Sequence, residues 1–161
     1  MNYSFGTDEY IYFILDKYSK TLIKIAFSYM KNTADAEDIV QEVYISLMRR
    51  GSGFESDEHE KAWLIRVTIN KCKNRLKSAW YHKSVPLDEE ISYLPEEESE
   101  VLSEVLSLPA KYRSVIHLFY YENYSIQEIS EILRKSTGTI GTWLSRGRKL
   151  LKTKLEGGFE I

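Results

Sequence analysis

Apolar residues in the first half of the chain recur every three to four positions, and no feature constrains the fold more. Ile11, Ile14, Leu15, Tyr18, Leu22, Ile25, Ala26 and Tyr29 form one helical stripe, and Ile39, Val40, Val43 and Leu47 form a second. The spacing follows the helical period of about 3.6 residues, not the alternation of a strand. Asn32 and Thr33 interrupt the pattern, and Gly51, Ser52 and Gly53 end it, which predicts helices over 8–30 and 34–49. A third run, carrying Trp63, Leu64, Val67, Cys72 and Leu76, predicts a helix from about 58 to 80. No segment reads as a strand and no internal repeat is present, so the expected class is all-α.

A change of composition then divides the chain. Residues 83–100, KSVPLDEEISYLPEEESE, hold two of the three prolines and seven acids between Asp88 and Glu100. That composition suits a flexible, solvated linker. The expected organisation is a first helical domain over 1–82, an acidic linker over 83–100 and a second helical domain over 101–161. With 43% hydrophobic residues among 161, both domains have enough apolar surface to form a core.

Charge is segregated along the same lines. The formal net charge is only -2, yet 61–87 carries seven Lys or Arg and no acid, and 133–155 again carries seven and no acid. Two cationic patches on either side of an acidic linker suggest two contacts with one polyanion. The single cysteine, Cys72, rules out an intramolecular disulfide, and with His59, His82 and His117 scattered there is no zinc-ligand spacing. No signal peptide and no apolar run of membrane-spanning length is seen, so a cytoplasmic protein without direct membrane insertion is expected.

In the second half, Pro109 opens a helix expected to run to about 121. Ser125 and Glu128 form a capping box, and Tyr124 is placed to staple against Ile129, so another helix starts there and ends near Leu133. Arg134, Lys135 and Ser136 leave a short turn before a last helix capped by Ser136 or Thr137. With Ile126, Ile129 and Leu133, then Ile140, Leu144 and Leu151 facing inward, this is the layout of a helix-turn-helix. Thr137, Thr139, Thr142, Trp143 and Arg146 would face outward, with small hydroxyl residues where helix N-termini favour phosphate. Gly138 and Gly141 would permit close approach to DNA, and Arg146, Arg148, Lys149 and Lys152 would continue the phosphate contacts.

The second and third helices carry two further surfaces. Asp35, Asp38 and Glu42 in "DAEDIVQEVYISL" share one helical face, which reads as solvated surface, as a protein-binding face or as a carboxylate metal cluster. The third helix interleaves bases with Trp63, Asn70, Asn74, Trp80 and Tyr81, a combination suited to single-stranded nucleic acid. Trp63 reads as core. Trp80 and Tyr81, beside Lys77 and Lys83, read equally well as surface or as a stacking platform.

Taken together, the chain resembles a bacterial RNA polymerase sigma factor of the sigma-70 family, in the compact extracytoplasmic-function group. "DAEDIVQEVYISL" is similar to the region-2 helix that docks on the polymerase clamp, "AWLIRVTINKCKNRLKS" to the segment that opens and reads the minus-10 element, and the stretch from Leu108 to Leu155 to the region-4 helix-turn-helix that reads the minus-35 element. The resemblance implies a region 2 helical bundle and a region 4 helix-turn-helix joined by the linker, with core RNA polymerase, through the clamp of its largest subunit, and promoter DNA as partners. A cognate anti-sigma factor is a further implied partner, and no catalytic residue, metal or cofactor is implied. It places Asp35, Glu37, Asp38, Gln41 and Glu42 against the clamp. It places Asn70, Lys71, Lys73, Asn74, Arg75, Lys77 and Trp80 on or near the melted minus-10 strand, and Ser136, Thr137, Thr139, Thr142, Trp143, Arg146, Arg148 and Lys149 against the minus-35 duplex. Arg134 and Lys135 stand where the family usually has a glycine and a β-branched apolar residue, and Gly141 and Trp143 replace residues that are commonly Lys and Arg. With no further domain after Ile161, regulation by a built-in extension is not expected. Two other classes fit parts of the pattern: a free-standing helix-turn-helix regulator, and a carboxylate metal-dependent hydrolase using Asp35, Asp38 and Glu42.

Overall fold

Three polar side chains, each accepting a hydrogen bond from the backbone three residues ahead, set where the first three helices begin. Thr7 accepts from the Tyr10 amide at 3.2 Å, Asn32 from Asp35 at 2.8 Å and Ser56 from His59 at 3.0 Å. In the computed structural model, which describes residues 4–78 and 104–158, with side chains to 154, they open α1 (Asp8–Met30), α2 (Thr33–Arg49) and α3 (Asp57–Leu76). Lys31 closes α1 in the left-handed conformation, at φ 62°, and so α2 follows after only two residues. Among the described residues every regular element is helical. The first two helices match their expected limits, but α3 ends at Leu76, short of the expected 80, and Trp80 and Tyr81 lie outside the described residues.

The two compact units divide between Asp88 and Glu89. In the first, α1, α2 and α3 each pack against the other two. Ile14, Leu22, Ile25, Ile39, Val43 and Leu47 meet Leu64, Ile65, Ile69 and Cys72 in the core, all buried. One acid enters this core from the start of α3. Glu60 accepts hydrogen bonds from the Tyr10 hydroxyl at 2.6 Å and the Tyr18 hydroxyl at 3.3 Å, which replace the water it has lost. Burial and this carboxylate together push the Tyr10 hydroxyl pKa up.

The second unit contains α4 (Ala110–Ile116), a π turn over His117–Tyr121, α5 (Ile126–Leu133) and α6 (Thr137–Gly158). The turn is the difference from the single helix expected over 109–121: the Glu122 amide reaches back five residues to the His117 carbonyl at 3.2 Å. Val105, Leu106 and Leu108, just ahead of α4, are also buried. Arg113 ties this approach down by donating to the Leu106 and Leu108 carbonyls at 3.0 and 3.1 Å. The capping box of Ser125 and Glu128 is formed in both directions, at 3.1 and 3.0 Å. Ile129 and Ile132 are the buried residues of α5, whereas Leu133, expected inward, is half-buried.

Gly138, Gly141 and Gly147, all on α6, have different surroundings. A Cβ on Gly147 would lie 2.9 Å from Ile116 Cδ1 and 3.2 Å from Tyr112 Cβ, so this glycine lets α6 press against α4. A Cβ on Gly141 would meet nothing within 4 Å, and one on Gly138 only Ser136 Oγ at 3.9 Å. Gly147→Ala is therefore expected to lower the thermal stability of this unit by about 1 kcal/mol, overpacking outweighing the gain in helix propensity. Gly141→Ala should raise it by up to about 1 kcal/mol. Circular-dichroism melting of the two variants gives opposite signs if this assignment holds.

Candidate nucleic-acid and protein-docking surfaces

The outward face of α2 is acidic at one end and apolar at the other. Glu37, Asp38, Gln41 and Glu42 are exposed, while Asp35 is half-buried in the first turn, where Asn32 Nδ2 donates to its carboxylate at 2.8 Å. Two turns on, Ile45 and Met48 are 42% and 56% exposed, large apolar side chains that continue the same face toward the end of the helix. They lie at i+7 and i+10 from Asp38, a spacing visible in the sequence that an expectation built on carboxylates passed over.

Arg75, which sequence reasoning assigned to DNA, bridges from α3 to this acidic face. Its guanidinium donates to Glu42 Oε1 at 3.1 Å and lies 3.9 Å from Asp35 Oδ1. The residues expected to contact polymerase and one of those expected to contact the melted strand thus hold each other. The rest of the strand-contacting set sits differently. Asn70, Lys73, Asn74 and Lys77 are exposed on one face of α3, Lys71 is half-buried, and Trp80 lies outside the described residues. Trp63 is not core: it is half-buried at the start of α3, its ring 5.5 Å from that of Phe54.

In the second unit, Arg134 closes α5 at φ 56° and ψ 48°, the left-handed conformation in which a glycine is the usual residue. The turn therefore keeps its shape with Arg134 in the glycine position. Of the two possible caps for α6, Ser136 is used; its hydroxyl accepts from the Thr139 amide at 3.1 Å. Thr137, Gly138, Thr142 and Arg146 are exposed along one side of α6 and Thr139 is half-exposed beside them. Lys149 and Lys152 are exposed further along. Two residues expected to be free for DNA are partly engaged within the fold. Trp143 is half-buried, with the Lys111 ammonium 6.0 Å from its ring, and Arg148 donates to the Tyr120 hydroxyl at 3.2 Å.

Family comparisons match both units. The sigma-70 region 2 model matches residues 14–81 and the sigma-70 region 4 model residues 100–151, so the two cover most of the chain in the order the units occur. The chain belongs to the sigma-70 family, in its extracytoplasmic-function group. This sigma factor is 29% identical to the ECF RNA polymerase sigma factor SigW of Bacillus subtilis, covering 88% of this chain and 87% of the relative. It is also 29% identical to RNA polymerase sigma factor SigV of Bacillus subtilis, with 82% of each covered. Among solved structures it shares the fold of the sigma factor RpoE, crystallised with the anti-sigma factor NepR from Bartonella quintana. The TM-score there is 0.74 at 22% identity, over 88% of this chain and 94% of that one.

The sigma factor acts in transcription initiation and is not an enzyme; the free-standing regulator is not favoured. Burial pushes the Cys72 thiol up to about 12, which makes it an unreactive core residue. Among the described residues no group of His, Cys, Asp and Glu is placed to hold a metal ion, and no helix is long and apolar enough to cross a membrane. The Arg75 bridge is part-exposed, with 25% and 47% of the Arg75 and Glu42 side chains open to solvent, so its contribution to stability is small. A double-mutant cycle of Arg75→Ala with Glu42→Ala, read by urea unfolding, is expected to give a coupling below about 1 kcal/mol.

Proposed function

We propose that this sigma factor docks on core RNA polymerase through α2, captures the melted minus-10 strand on α3 and reads the minus-35 duplex with α6. In this reading residues 1–82 form region 2, 83–100 the linker and 101–161 region 4. Asp35, Glu37, Asp38, Gln41 and Glu42 face the clamp of the largest polymerase subunit, with Ile45 and Met48 supplying apolar contact beside them. Asn70, Lys71, Lys73, Asn74 and Lys77, together with Trp80, serve the single strand, with Arg75 at the border between the two surfaces. Ser136, Thr137, Thr139, Thr142, Trp143, Arg146, Arg148 and Lys149 serve the upstream duplex.

The observation that carries this reading is the placement of basic and hydroxyl side chains on the outer faces of two helices, α3 and α6, that belong to different compact units. One site of a few cations binds DNA weakly and loses affinity steeply with salt; two sites held on one polymerase bind with high effective concentration. The extruded bases cost a few kcal/mol of unstacking each, which contacts on α3 offset while the polymerase supplies the chemistry. The neighbouring structure of RpoE, solved together with the anti-sigma factor NepR, supports a partner of that kind here, and a cytoplasmic site of action follows from the same reading.

Purified protein added to bacterial core polymerase is expected to give promoter-specific transcripts. Asp38→Lys is expected to lower core binding at least about tenfold in a pull-down, since it reverses a charge at the centre of the exposed face. Wild-type binding by Asp38→Lys would place the dock elsewhere. Promoter binding by the isolated protein as tight as by the holoenzyme would show that polymerase is not needed for recognition.

A further inference from the structure

Arg50, the residue that closes α2, is the centre of a cluster that no expected site includes. Its guanidinium lies 4.2 Å from the centre of the Phe54 ring and 5.2 Å from that of Trp63. The same group donates through Nε to the Ser52 carbonyl at 2.9 Å and through Nη2 to the Gly53 carbonyl at 3.4 Å. One planar cation therefore fixes the backbone of the loop joining α2 to α3 and packs against the two rings at its far side. Phe54 also makes an edge-on contact with His59, with ring centres 5.3 Å apart.

The place of Trp63 on α3 gives this arrangement a functional direction. Trp63, Val67, Asn70, Asn74 and Lys77 follow one another at intervals of four, three, four and three residues, so they form a single stripe along the helix. All five are exposed or half-exposed. Asn70, Asn74 and Lys77, assigned to the single strand, thus continue a stripe that begins at an aromatic ring beneath Arg50, the residue that closes the helix assigned to polymerase docking. Stacking on such a ring is worth about 1–3 kcal/mol per base in single-strand binding.

We propose that Arg50 is a positioning residue for promoter opening, holding the 51–54 loop and the Trp63 ring so that the start of the α3 stripe is ready to receive an unstacked base. This rests on the assignment of α3 to the melted strand. Arg50 acts through Trp63 and the loop and contacts neither polymerase nor base. A lysine keeps the charge but loses the planar face and the fork that reaches two carbonyls, so it is not an adequate substitute.

The test uses holoenzyme assembled with wild type, Arg50→Ala or Arg50→Lys, on a promoter that the wild-type holoenzyme selects from a randomised duplex library. Core affinity is expected to stay within about twofold of wild type for both variants, because Arg50 lies outside the acidic face. Promoter opening, followed by permanganate reactivity of unpaired thymines, should fall about tenfold for Arg50→Ala and about fivefold for Arg50→Lys. On a pre-opened template, the preference for native bases over abasic sites in the non-template strand should decline toward unity in Arg50→Ala. Wild-type opening by Arg50→Ala overturns the inference. So does an equal loss of affinity for native and abasic templates, or a loss of opening matched by lost core binding, since either marks a role confined to folding. If the wild-type holoenzyme selects no promoter, the reading of α3 fails and takes this inference with it.

Discussion

Leu64, Ile65, Thr68, Ile69 and Cys72 bury one face of α3 against α1 and α2, and the first unit depends on that packing. Lys71 with Arg75 and Lys73 with Lys77 are like-charged pairs four residues apart, which weaken α3 taken alone. Its apolar face supplies the missing stability, and the opposite face is left free to be cationic. Glu60 adds direction: a carboxylate taken out of water is tolerated only where the Tyr10 and Tyr18 hydroxyls reach it, which ties the start of α3 to α1. Arg75 ties the other end to α2.

The second unit solves a related problem with less material. Its core draws on Val115, Ile116 and Leu118 from α4 and its π turn, Ile129 and Ile132 from α5, and Ile140 and Leu144 from α6. Two irregular devices bring these short elements together. The π turn at 117–121 shifts the chain before the capping box, and Arg134 adopts a conformation costly for a residue with a Cβ. The first lies just ahead of the helix-turn-helix and the second within its turn.

Much of this was legible in the sequence because it depends on neighbours along the chain. Helical period gave α1 and α2 to within a residue, and Ser125 with Glu128 announced α5, since caps and boxes act over three residues. What stayed hidden depends on contacts between elements. Nothing local distinguishes Gly147, pressed on Ile116, from Gly141, which faces open space. Trp63 reads as core on periodicity, and only its partial exposure beside Arg50 and Phe54 shows that it sits at the rim. Arg75 looks like one cation among several until α2 is folded beside it. The acidic residues of α2 were legible as a face, but Ile45 and Met48, outside both the apolar stripe and the carboxylate row, were passed over.

The contact between Gly147 and α4 separates two tasks within α6. The side chains that anchor the helix, Ile140 and Leu144, and the glycine that seats it are buried, whereas Thr137, Thr142 and Arg146 point elsewhere. Packing and reading therefore share no residue among these six. In the proposed reading, a change of promoter preference confined to Thr137, Thr142 and Arg146 leaves the docking of α6 untouched, whereas one at Trp143 or Arg148 disturbs its contacts with Lys111 and Tyr120.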